Sequence, residues 1–204
     1  MSGVQAPNRK PASVSYADGS VSWLNLPNFL TLLRLVLTPF AVAGVIAGEY
    51  RRALAFFIAA GITDGLDGYL ARRFAWQTRA GAYLDPVADK LLLTATYVAL
   101  AISGNIPMWI MWLIVGRDAM ILTMVGAALA FTNYREFRPS LWGKLSTVAQ
   151  VVGAAATVVS LASPASWLAA ASKVLLWLAA FWTVWSGIAY LHRGLSVALK
   201  LKTS

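Results

Sequence analysis

The sequence predicts an all-α integral membrane protein with six transmembrane helices and a short N-terminal interfacial segment. Three observations carry that prediction. The chain is 59% hydrophobic and only 12% charged, whereas soluble domains average about 45–50% apolar and about a quarter charged residues. Runs such as AMILTMVGAALAF and VVGAAATVVSLA have no polar face, so in water they need burial on every side. A soluble helical domain of 204 residues has too little interior for several such runs, because a single domain keeps a large share of its surface exposed. The basic residues, finally, fall mostly between the apolar segments.

Taken in order, residues 1–22 (MSGVQAPNRKPASVSYADGSVS) carry turn formers and no periodicity, and read as a flexible cytoplasmic tail. They lack an apolar stretch followed by a small-residue cleavage site, so a cleaved signal peptide is not expected. In WLNLPNFLTLLR, residues Trp23, Leu24, Leu26 and Phe29 suit the membrane interface, and Pro27 suits a helix start. Spans are expected at 29–48, 52–73, 81–103, 106–131, 142–163 and 167–191, giving one catalytic domain over 23–195 and a basic cytoplasmic tail over 196–204. Gly48, Gly104, Pro107, Pro139 and Pro164 mark the joins. Between them the backbone must be helical, because lipid offers no partner to an unpaired amide.

Six spans place eleven Lys and Arg residues on the N-terminal side, among them Arg72, Arg79, Arg138 and Lys144, against Arg51, Arg52 and Lys173 on the other. That asymmetry predicts both termini in the cytoplasm. The net charge of +9 accordingly suits anionic headgroups, and no nucleic-acid partner is expected. Absence of cysteine and a single histidine, His192, exclude disulfides, thiolate metal sites and His-rich sites. Chemistry must run on carboxylates, Arg, Lys and hydroxyls.

The candidates are Asp64, Asp67, Asp85 and Asp89, in TDGLDGYLAR and GAYLDPVADK. Spacings of three and four put each pair on one side of a helix. Two antiparallel helices joined around FAWQT bring all four to one level. Four like charges so close repel and are costly to desolvate. One or two divalent cations remove both penalties, and oxygen-only donors point to Mg²⁺ or Mn²⁺. Pairing with Arg72, Arg79 and Lys90, or an ion path, is the alternative. Gly61, Gly65, Gly68, Ala71, Ala80 and Gly81 strip bulk from the region, which permits either close helix packing or a phosphate-rich guest.

These residues form a pattern: Asp64, two residues, Asp67-Gly68, two, Ala71-Arg72, eight, Gly81, three, Asp85, three, Asp89. It resembles the signature of the CDP-alcohol phosphatidyltransferases without a gap or substitution. The likeness extends through NLPNFLTLLRLVLTP near the start and RPSLWGKLSTVAQ after the fourth span. The resemblance implies a six-helix, dimeric membrane enzyme that transfers a phosphatidyl group from CDP-diacylglycerol to an alcohol and releases CMP. It implies a metal pair on Asp64, Asp67 and Asp85 with Asp89 close by, and Asp89 as the base that deprotonates the acceptor. It implies a CDP site lined by Asp64, Gly68, Ala71, Arg72 and Gly81, over which the N-terminal segment closes, so that Asn28 or Thr31 contacts the nucleotide.

Asn28 equally suits a helix cap. Arg34, well inside the first span, is expected to face a polar cavity. Arg117 and Asp118 form a second intramembrane polar pair, which satisfies itself or serves the acceptor. Arg117, Arg138 and Lys144 are the candidate acceptor-binding residues, since an anionic acceptor needs several donors. Tyr134, Arg135 and Trp142 read as headgroup-level belt residues, and His192 as a helix-end residue. Glycerol 3-phosphate is the favoured acceptor, giving phosphatidylglycerol phosphate; phosphatidylglycerol, giving cardiolipin, is the alternative. An ion-coupled transporter is more remote, because the acids cluster toward one face and no matching repeat appears in the second half. The bacterial inner (cytoplasmic) membrane is the expected location.

Overall fold

The computed structural model describes residues 26–74, 79–131 and 141–202. Within them lie six helices: α1 (Leu26–Ile46), α2 (Tyr50–Phe74), α3 (Arg79–Ile102), α4 (Met108–Phe131), α5 (Leu141–Ala162) and α6 (Ser166–Lys202). Each begins within three residues of its predicted span. The larger difference is at the end of α6, whose 37 residues run helically through 196–202, part of the stretch expected as a tail. At about 1.5 Å per residue such a helix is longer than the hydrocarbon core is thick, so its polar end projects beyond it.

The expectation of six spans is met in part. Four described helical stretches are long and apolar enough to cross a membrane: Asn28–Ile46, Tyr50–Leu70, Leu141–Ala162 and Ser166–His192. In α3 the reason is charge: Asp85, Asp89 and Lys90 crowd its first half and leave only Leu91–Ile102 uncharged. Helix α4 is uncharged apart from Arg117 and Asp118 near its middle, and most of its side chains beyond Met124 fall outside the described residues. The protein is an integral, helical membrane protein, and its exterior agrees: Trp112, Leu122, Trp167 and Ile188 are among the many large apolar side chains turned outward. In water such a surface is a liability, whereas lipid solvates it.

Two glycines turn the chain. Gly48 has φ 74° and Gly104 has φ 73°, a left-handed conformation that costs side-chain-bearing residues energy. At each turn the helix end is closed by backbone bonds, Glu49 N–H to Gly44 O at 2.8 Å and Asn105 N–H to Leu100 O at 2.9 Å. Gly44 lets α1 and α2 meet closely, since a Cβ there would lie 3.0–3.1 Å from Ala53. Gly153 makes room for Tyr97, whose hydroxyl donates to the Gln150 carbonyl at 2.8 Å.

The apolar core gathers Val45, Ala53, Leu93, Tyr97, Leu100, Ile110, Ile114, Val158 and Leu176. These come from the end of α1, the start of α2, the later part of α3, the start of α4, the end of α5 and the start of α6, so the core occupies one end of the bundle. The aspartates lie on the later part of α2 and the early part of α3, at the other end. Among the described residues α1 packs against both α2 and α3, whereas α2 and α3 meet each other little. The two acidic helices were expected to face one another, but α1 joins them.

Candidate active site

Helix α1 supplies Thr31 and Arg34, three residues apart and therefore on one face. Both side chains are fully buried. The Arg34 guanidinium reaches carboxylates on two helices. Its Nη2 lies 2.8 Å from Asp64 Oδ1 and 2.6 Å from Asp67 Oδ2, and its Nη1 pairs with Asp89. Thr31 donates to Asp85 Oδ1 at 2.5 Å and approaches Asp67 Oδ2 at 3.3 Å. The four aspartates are thus brought together, as the spacing predicts, by two side chains of a third helix.

Exposure separates the acids. Asp67 is 2% exposed, against 48% for Asp64 and 50% for Asp89. The cluster therefore has a buried floor and an open side. Gly61 and Gly65 flank Asp64 along α2, and a Cβ added at either would meet nothing within 4 Å. Among the described residues of the chain, then, no neighbouring helix packs closely against either glycine. Gly68 is half-buried. Ala71 and Arg72 continue α2, and Gly81 lies in the first turns of α3; their side-chain surroundings fall outside the described residues, as does most of the FAWQT turn. Asn28 is buried within the first turn of α1 rather than ahead of it, so the helix does not use it as an N-cap.

Among the described residues no group of three or more His, Cys, Asp or Glu side chains is arranged as a metal cage. The Arg34 guanidinium lies among the carboxylates. The donor set nevertheless fits a hard divalent cation. Four carboxylates against one guanidinium leave a formal charge of −3, all donors are oxygens, and the open side gives access.

A second polar network crosses the bundle. Arg117 donates from Nη1 to Asp118 Oδ1 and from Nη2 to Ser186 Oγ, each at 2.7 Å, and its guanidinium lies 5.7 Å from the centre of the Tyr190 ring. Lys90 Nζ is 2.7 Å from Asp118 Oδ2. The network ties α3, α4 and α6 one residue beyond Asp89. Of the three acceptor candidates, Arg117 is thus buried against α6, Lys144 is exposed on α5, and Arg138 lies outside the described residues, with Tyr134 and Arg135. Trp142 stacks on Trp182 at 5.8 Å, and His192 is exposed on α6. The Lys90–Asp118 pair was not foreseen, although two charges inside apolar helices are each a signal that a partner exists. Ser186 gave no signal at all.

The fold and this site define an integral membrane protein whose helices surround an acid-rich polar end. The chain belongs to the CDP-alcohol phosphatidyltransferase family, whose pattern matches residues 24–185, all of α1 to α5 and the first part of α6. Family membership makes it an enzyme of phosphatidyl transfer. It is 36% identical to a CDP-diacylglycerol–glycerol-3-phosphate 3-phosphatidyltransferase of Haemophilus influenzae, over 82% of this chain and 92% of that one. It is 36% identical to a probable phosphatidylglycerophosphate synthase of Mycobacterium tuberculosis, over 84% and 82%. A CMP-forming cardiolipin synthase of Rattus norvegicus matches at 30% over 93% of this chain and 68% of its own.

Proposed function

We propose that the protein transfers the phosphatidyl group of CDP-diacylglycerol to glycerol 3-phosphate, yielding phosphatidylglycerol phosphate and CMP. The carrying observation is the convergence of Asp64, Asp67 and Asp89 on the buried Arg34 guanidinium and of Asp85 on Thr31, one turn earlier on the same helix, with Asp64 and Asp89 half exposed on the open side. Asp64, Asp67 and Asp85, with Asp89 close by, would hold Mg²⁺ or Mn²⁺, as a pair of ions by family likeness. A bound cation supplies positive charge to the pyrophosphate and to the departing CMP. Asp89 accepts the proton of the acceptor hydroxyl, whose oxygen attacks the phosphorus carrying the diacylglycerol. The bond from that phosphorus to the CMP oxygen breaks, and CMP leaves with the electron pair. Gly68, Ala71, Arg72 and Gly81 hold the CDP moiety, with Asn28 and Thr31 closing over it from α1. Arg138 and Lys144 receive the acceptor phosphate, and Arg117 supports that side through its network.

The match to both glycerol-phosphate and cardiolipin enzymes leaves phosphatidylglycerol as the competing acceptor. Supplying isotope-labelled glycerol 3-phosphate and phosphatidylglycerol together, with CDP-diacylglycerol limiting, decides between them. Label from glycerol 3-phosphate is expected in phosphatidylglycerol phosphate; label only in cardiolipin overturns the acceptor assignment and leaves the transfer chemistry standing.

The protein is further proposed to be a homodimer, by family likeness, of six-span subunits whose termini both lie in the cytoplasm, an orientation supported by the eleven-to-three basic asymmetry. Because the chain has no cysteine, single cysteines give an unambiguous readout of orientation. Membrane-impermeant labelling of intact cells should mark a cysteine at Glu49 and spare one at Thr203. The reverse pattern inverts the topology.

A further inference from the structure

Arg34 belongs neither to the aspartate signature nor to the chemistry proposed above, yet it is the most buried charge of the site. We propose that Arg34 is an internal counter-ion: it keeps the aspartate cluster assembled in the ion-free protein and must yield those carboxylates when a divalent cation binds, and so it sets cation affinity. The inference rests on reading the aspartates as cation ligands.

Three observations support it. Arg34 is fully buried, and a buried guanidinium persists only where anions compensate it. Its anions are Asp64 and Asp67 on α2 and Asp89 on α3, two helices that meet each other little among the described residues. Without Arg34 the carboxylates repel across that gap. The oxygens it engages are also the donors a cation would use, so a second positive charge at the same oxygens is opposed by the first. Finally, Nε of Arg34 finds no hydrogen-bond partner among the described residues. Among the described residues the guanidinium is held through its Nη atoms by the acids alone, with no further anchor there once the acids are taken.

The test uses the purified full chain in detergent with Mn²⁺ and no lipid substrate. Bound Mn²⁺ is followed by the loss of the free-ion paramagnetic resonance signal, and thermal unfolding is followed in chelator. Relative to wild type, R34Q should unfold at a lower temperature in chelator and bind Mn²⁺ at a concentration lower by about tenfold or more, the order expected from removing a unit charge a few ångströms from the ion. Saturating Mn²⁺ should close the gap in unfolding temperature. R34K keeps the charge but offers one ammonium in place of a fork; it should shift the midpoint in the same direction by a smaller factor, and it carries the test if R34Q does not fold. An unchanged or weakened Mn²⁺ midpoint in the variants, with wild type binding normally, overturns the counter-ion role alone. Failure of wild type itself to bind Mn²⁺ overturns the ligand reading and the inference with it.

Discussion

Replacing Asp67 by Asn lowers phosphatidyl transfer on the order of a thousandfold, the expected consequence of losing several kcal/mol of charge stabilisation at the reacting phosphates. Asp67 is the buried floor of the site, 2% exposed and 2.6 Å from Arg34. Asn keeps the shape and one acceptor oxygen but removes a full negative charge where no water can replace it. Arg34 retains Asp64 and Asp89, so folding should survive and the loss should fall on catalysis. The same ordering is expected for Asp64 and Asp85, with activity abolished by chelator and restored by Mg²⁺ or Mn²⁺. Measuring CMP release with and without chelator checks it. Turnover within tenfold of wild type in the Asp67→Asn enzyme, or transfer that survives rigorous removal of divalent ions, removes the cation from the mechanism.

Much of this site was legible in the sequence because its residues lie close together along the chain. Asp64 and Asp67 share a helix face by spacing, as do Asp85 and Asp89, and burying four carboxylates demands compensation whatever the fold. Helix positions were legible for a similar reason: apolar runs bounded by Gly48, Gly104 and Pro164 leave few alternatives in lipid. Contacts between distant segments were less accessible. That Arg34 faces a polar cavity follows from its place in an apolar span, but its binding three aspartates on two helices depends on α1 packing against both. Arg117 likewise offered no means of choosing between an acceptor and Ser186, because a serine in an apolar helix does not signal its partner. The span count was hardest to read where charge and length compete: α3 is 24 residues long, yet its first half holds Asp85, Asp89 and Lys90.

Asp89→Asn should separate binding from transfer. Asp89 lies one helical turn beyond Asp85 and is half exposed on the open side of the cluster, which is where an incoming hydroxyl has access. An Asn there can still accept a hydrogen bond but cannot take the proton away. General-base removal of this kind typically costs about 10²–10⁴ in rate, and that loss should appear in kcat with the affinity for CDP-diacylglycerol changed only several-fold. Arg34 keeps Asp64 and Asp67 on Nη2, so the cluster and the nucleotide side of the site stay assembled. A further signature distinguishes a base from a structural carboxylate. The acidic limb of the kcat profile, which reports the base in the bound complex, should be present in wild type and absent in the variant. Equilibrium binding of CDP-diacylglycerol alongside single-turnover transfer measures both halves of the claim. Normal single-turnover transfer in Asp89→Asn would assign the proton to another acceptor, whereas loss of CDP-diacylglycerol binding in parallel with transfer would make Asp89 part of the binding framework instead.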